Sequence, residues 1–119
     1  MRNFTTILQA VENALRVPLT PAPCRTAGEC AVYRLIPGKS DGALERAYLH
    51  IRVFCHTAAD AAAQQARLRA ALIADGDSGV LGTGVGALIV CATDRGGEVG
   101  VAKSGMYYCQ SGFEICGRA

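Results

Sequence analysis

The chain has 119 residues, half of them hydrophobic and 18% charged, with a net charge of +2. That length holds one domain around one core, and a charged fraction below the ~25% usual for soluble domains leaves surface for a partner to cover. A net charge so small and so dispersed excludes a nucleic-acid footprint at the level of sequence, and no stretch nears the ~20 apolar residues of a membrane span.

The first residues, Met-Arg-Asn-Phe-Thr-Thr, run into Gln9, Glu12 and Asn13, not into an unbroken apolar core. This is not the pattern of a signal peptide, and the expected compartment is a cytoplasm. Residues 3–16 have the period of an amphipathic helix. Phe4, Ile7, Leu8, Val11 and Leu15 form its apolar stripe, with Asn3 as the cap and Pro18 as the stop. Pro18, Pro21 and Pro23 then hold a stiff, extended connector.

Cys30 to Ile36 reads as a strand, with Val32, Tyr33 and Ile36 suited to a pleated surface. The cluster 37–42 is a turn, and its Asp41-Gly42 pair is a hairpin signal. A longer strand covers Leu44 to His56. Ala47, Leu49, Ile51, Val53 and Cys55 should face a core, while Arg46, Tyr48, His50, Arg52, Phe54 and His56 take the opposite, amphipathic face.

Thr57 and Asp60 make a variant capping box for an alanine-rich helix over 58–74. Its expected buried stripe is Ala61, Leu68 and Leu72, flanked by Ala62 and Ile73, and Asp75-Gly76 should end it with a left-handed cap. A glycine-rich connector, 76–86, leads to a short strand over Ala87 to Thr93. A second loop, 95–105, has the glycines and polar residues of a mobile segment, and the last strand is Met106 to Cys116. The fold class is α+β in the order α-β-β-α-β-β, with a mostly antiparallel sheet and two helices on one face, as a single domain over 1–119.

Reactive groups do not converge in this reading. The six cysteines include no C-x-x-C pair, so the common zinc and redox spacings are absent. Cys55, Cys91 and Cys109 lie in apolar strands and read as small buried hydrophobes. Cys24 and Cys30 are the pair to bridge if any does, against which a reducing compartment argues. The run Gly82-Thr83-Gly84-Val85-Gly86 lacks the preceding strand and following helix of a nucleotide loop. His50 and His56 are about 20 Å apart along one strand face, too far to share a metal ion. Cys55 and His56 point to opposite faces, although a pairing such as His50 with Cys116 stays open. Glu45, Asp94, Glu98 and Glu114 are scattered and expected in water. No cofactor, metal or catalytic residue is assigned.

Tyr48, Phe54, Tyr107 and Tyr108 read equally as core and as interface aromatics. Lys39, Arg95 and Lys103 place positive charge in or beside two loops, and a symmetric ring would multiply it.

Three stretches together resemble a known family. They are Ile7-Leu8-x-x-Val11; Leu44-Glu-Arg-Ala-Tyr-Leu-His-Ile-Arg-Val-Phe-Cys running into Thr57-Ala-Ala-Asp-Ala-Ala and Leu68-Arg-Ala-Ala-Leu72; and the closing Met106-Tyr-Tyr-Cys-Gln-Ser-Gly-Phe-Glu-Ile. The order of elements resembles the tail-terminator (tail-completion) proteins of long-tailed, lambda-like bacteriophages. The match is most specific over 44–73, and the cysteine count and the stretch 76–86 depart from it. The resemblance implies a structural, non-enzymatic virion protein assembled in the bacterial cytoplasm. It implies a hexameric ring at the head-proximal end of the tail. The ring's partners are itself, the tail tube protein and a neck or connector protein, with room for weak DNA contact in the lumen and no membrane partner. Such a ring closes through a heterologous contact, expected at the exposed strand faces and at loops 37–43 and 95–105. Its expected interface residues are Lys39, Tyr48, Arg52, Arg95, Glu98 and Lys103. The alternatives are a head-closure or head-tail connector subunit of the same particle, a small enzyme with a composite site, and a cytosolic dimeric binding module. Solution mass separates ring from dimer, and a deep polar pocket with convergent ionisable groups marks the enzyme.

Overall fold

The computed structural model describes residues 4–22, 28–39, 42–74, 76–83 and 86–118. The expected cap Asn3, the side chain of Phe4, Pro23, Cys24 of the Cys24–Cys30 pair, Asp41, Asp75, Gly84 and Val85 lie outside the described residues. In chain order the elements are α1 (Phe4–Ala14), β1 (Leu19–Pro21), β2 (Cys30–Pro37), β3 (Leu44–Cys55), α2 (Ala58–Leu72), β4 (Ser78–Thr83), β5 (Gly86–Ala92), β6 (Gly100–Val101) and β7 (Tyr107–Arg118). The strands form one sheet in the order β1-β2-β3-β7-β5-β4, with β6 beside β7. Every pairing is antiparallel except β1 with β2.

The α+β class and the antiparallel sheet stand as read, but the element order gains β1, β4 and β6. The sequence of each has the pattern of a connector, and in each a proline or glycine has a local reason. Pro21 is tolerated because β1 is an edge strand, where a missing N–H costs no ladder bond. Gly79 lets β4 pass beneath the end of α2, where a Cβ would sit 2.2 Å from the Leu72 carbonyl oxygen. Gly100 makes room for the Tyr108 ring, 2.5 Å from where its own Cβ would lie.

Alternation along β3 is as expected, with Ala47, Leu49, Ile51, Val53 and Cys55 all buried. On β7 the partners of this row are Tyr107, which is half-buried, and Cys109, Ser111, Phe113 and Ile115, which are buried. Ile7, Val11 and Leu15 of the first helical segment and Ala61, Leu68 and Leu72 of α2 cover this face. Full burial of each large side chain contributes roughly 1.5–3 kcal/mol. Thr57 caps α2 by accepting from the Asp60 N–H at 3.1 Å. The small alanines let the helix lie close to the sheet, so two glutamines rather than further apolar residues complete its buried side. Gln64 accepts from the Arg16 N–H at 3.1 Å, tying the end of α1 to α2.

Two side-chain and two backbone expectations are corrected. Ala62 is exposed, because helical phase turns it away from the sheet. Cys91 is exposed, because its register opposite Glu114 puts it on the outer face. Gly76 is left-handed (φ 91), but it lies beyond the C-cap Ile73 and so turns the chain toward β4 instead of capping the helix. The segment 95–105 is not a loose loop, since β6 and several hydrogen bonds hold it.

Candidate functional site

Both helices lie on one side of the sheet, and no element among the described residues covers the other. Register defines that bare face: Val32, Arg34 and Ile36 on β2; Arg46, Tyr48, His50, Arg52 and Phe54 on β3; Tyr108, Gln110, Glu114, Cys116 and Arg118 on β7. It continues through Ile89 and Cys91 on β5 to Ser78 and Val80 on β4.

Its central feature is a ridge. The Arg52 Nη2 donates to Gln110 Oε1 at 2.6 Å, and the guanidinium lies 4.6 Å from the Tyr108 ring centroid. Phe54 meets Tyr108 at a centroid distance of 5.8 Å and an interplanar angle of 45°. Such tilted pairs and cation–π contacts each contribute on the order of 1 kcal/mol. Gln110 lines two concavities of about 490 Å³ each, one on either side of the ridge. Arg34, Ile36, His50 and Phe54 line the first. Arg95, Glu98, Val99 and Tyr108 line the second.

The wall of the second concavity is fastened from behind. Arg69 of α2 donates from Nη1 to Asp94 Oδ1 and from Nη2 to the Asp94 carbonyl, both at 3.0 Å. Asp94 Oδ2 accepts from the Gly112 N–H at 3.0 Å. Buried Gln65 donates to the Gln110 carbonyl at 2.9 Å and to Ser111 Oγ at 3.0 Å, while its Oε1 accepts from the Gly97 N–H at 2.8 Å. Asp94 is therefore an anchor, where the sequence reading expected a solvated carboxylate. These bonds fix the backbone on either side of Arg95 and just before Glu98.

The six expected interface residues divide between the two ends of β3. Lys39 is exposed just past β2, and Tyr48 is half-buried near it, its ring against Gly38. At the other end, Arg52, Arg95 and Glu98 gather around Tyr108 and Gln110. Lys103 is exposed in the tight turn from β6 to β7, closed by the Ala102 N–H on the Met106 carbonyl at 2.8 Å. Sequence reasoning missed Arg34, Arg118 and the exposed aliphatics Ile36, Ile89 and Val80. Their shared face depends on the pairing register of β2, β7 and β5, and only Arg46, His50 and Arg52 signalled it within one strand.

Among the described residues, the cysteine–histidine pairings raised by the sequence are not assembled. Cys55 points into the core, where burial first, and then the charges of Glu29 and Asp60, push its thiol up to about 11. Burial also raises Cys109. His50 stands opposite Gly112 and Cys116 opposite Arg46, so this pair is about 13 Å apart along the strands. Among the described residues no group of three or more His, Cys, Asp or Glu could hold a metal ion, and no helix is long and apolar enough to cross a membrane. No family model matches the chain, and no curated protein matches it.

Proposed function

We propose that the chain is a structural subunit that closes into a homo-oligomeric ring, six copies by the resemblance. The ring sits at the head-proximal end of a bacteriophage tail, where it caps the tail tube and joins it to the neck. The observation that carries this reading is the bare face of the sheet. A two-layer α/β domain ordinarily hides the apolar side chains of both sheet faces or leaves the second face polar. Here Val80 and Ile89 remain 66% and 52% exposed.

A closed ring needs two different surfaces of one subunit to meet. The β4–β5 end of the bare face, with Val80 and Ile89, supplies one candidate surface. The alanine-rich exposed side of α2, with Ala62, Ala66 and Ala70, supplies the other from the opposite side of the molecule. Lys39, Arg95, Glu98 and Lys103 would form a charged rim. The mechanism is geometric: one ring face matches the last ring of the tube, and the other does not, so growth stops. No bond chemistry enters.

Native mass spectrometry and electron microscopy of the purified protein test this. The expected result is a six-membered ring, or a monomer that forms one on the ends of tail tubes. A head-closure or connector subunit would instead bind the neck side and leave the tube ends free.

One observation favours a second reading, the dimeric binding module. The Ala92 N–H bonds the Asp77 carbonyl at 2.8 Å, so by alternation Ser78, Val80 and Gly82 turn their N–H and C=O groups to the free edge of the sheet. That edge carries no charge and no proline, the kind that pairs with another chain. A permanent dimer, with no larger species on tube ends, would decide for this reading.

A further inference from the structure

The bare face concentrates a charge that the sequence total conceals. Arg34 stands opposite His50, Arg46 opposite Cys116, Arg52 opposite Gln110 and Arg118 opposite Leu44. All four arginines are exposed on one face of β2, β3 and β7. Glu114, opposite Tyr48, is the one carboxylate among the outward positions of these three strands. Arg52 is held by Gln110 and Tyr108, which are both neutral. Arg34, Arg46 and Arg118 have no ion pair among the described residues, in contrast to Arg69 with Asp94. Like charges gathered without counter-charges raise the local potential and repel one another, and a partner bearing carboxylates relieves both.

We propose that this basic half of the sheet docks a different protein, one whose contacting surface carries carboxylates around an apolar centre. The proposal rests on the reading of the chain as an assembly subunit and adds the chemistry of its neighbour. Two features select that occupant. Ile36 and Leu44 are 40% and 41% exposed on the same face. A protein covers such aliphatics, whereas a phosphate backbone leaves them wet. The cations are all arginine, whose planar fork pairs two-pronged with carboxylate, and arginine with aromatics is the composition of protein-docking centres. A second copy of this chain does not fit. Face-to-face pairing would set arginine against arginine, and the exposed carboxylates Glu12, Asp60, Asp77, Asp94 and Glu98 are spread over α1, α2 and the segments before β4 and after β5.

The test titrates the full chain with three probes of equal net charge: a mixed glutamate–leucine peptide, a shorter all-glutamate peptide and oligo-thymidylate. Calorimetry is run at low and raised salt, with amide shifts mapped by NMR. The glutamate–leucine peptide should bind tightest, weaken with salt, and shift amides of β2, β3 and β7. Reversing Arg34, Arg46 and Arg118 together to Glu should weaken it about tenfold or more through like-charge opposition. The pair R16E/R67E, on the helix side of the sheet, should stay within about twofold, because the sheet separates these charges from the docking face and solvent screens them. If the triple reversal does not fold, the triple change to Gln is read the same way. Tighter binding of oligo-thymidylate, wild-type binding by the folded triple variant, or no saturable binding of any probe would each overturn the docking face. Oligomer mass is measured separately: a six-membered ring that ignores the peptides sinks this inference alone, and a peptide-binding monomer or dimer sinks the ring alone.

Discussion

Arg69 and Asp94 are joined twice, side chain to side chain and side chain to backbone, both at 3.0 Å. The second Asp94 oxygen holds the N–H of Gly112. One carboxylate thus ties α2, the segment after β5 and the middle of β7 together, 25 residues from its arginine in sequence. The Asp94 side chain is 38% exposed, so water screens the Coulomb part and the hydrogen bonds carry most of the effect. Asp94→Ala should cost about 1–2 kcal/mol in urea unfolding. Asp94→Asn, which keeps an acceptor for Gly112, should cost less. Equal losses in the two variants would show that the Gly112 bond contributes nothing.

Gln65 should be less replaceable than its polarity implies. It is 4% exposed and makes three hydrogen bonds. Gln65→Leu keeps the volume but strands the Gly97 N–H and the Ser111 hydroxyl, at a cost of about 2–3 kcal/mol. Hydrogen exchange at Gly97 and its neighbours should quicken more than exchange in α1. Uniform quickening would mean that Gln65 supports the whole core and not this segment.

Gly79→Ala sets a methyl group against the Leu72 carbonyl, and backbone on both sides limits relaxation. The expected loss is about 2–3 kcal/mol, typical of overpacking. Gly82→Ala, with nothing within 4 Å of its Cβ, should fall within about 0.5 kcal/mol of wild type. A thermal or urea comparison of the two checks that β4 lies where its register places it.

The cysteines should separate by reactivity and by pH. Exposed Cys91 should react with a thiol reagent in the native state, while buried Cys55 and Cys109 wait for unfolding. The Cys55 thiol rises from 9.0 to about 11 on folding. Its proton is therefore held more tightly in the folded chain, and its contribution to stability is complete below pH 9.0. Between there and about 11 the unfolded chain ionises first, and that contribution is lost. Urea midpoints at about pH 8 and about pH 10 should show a fall that Cys55→Ala reduces. An undiminished fall in Cys55→Ala would place the linkage elsewhere, with buried Cys109 the next group to replace.

The face of β3 that meets the core was legible because a strand's period of two depends only on the order of its own residues. Ala47, Leu49, Ile51, Val53 and Cys55 needed no neighbour to declare their side. The helices were legible for the same reason, through the stripe Ile7-Val11-Leu15 and the Thr57 cap. The same logic misread Cys91. In the apolar run of β5 both parities are hydrophobic, and only pairing with Glu114 of β7 shows which one faces out. Arg34 and Arg118 sit in different strands, 84 positions apart in sequence, and no local pattern predicts that they share a surface.

Local order along the chain was thus enough to determine the class of fold, the two helices and the inward face of the long strands, because those follow from steric periods of a few residues. Tertiary pairing alone decided that 78–83 is a strand, that Asp94 is an anchor, and that a chain of net charge +2 shows a bare, basic half-sheet. Those outcomes depend on register between distant segments. Register is set by which strands close on which, and by where a glycine lets one backbone pass beneath another.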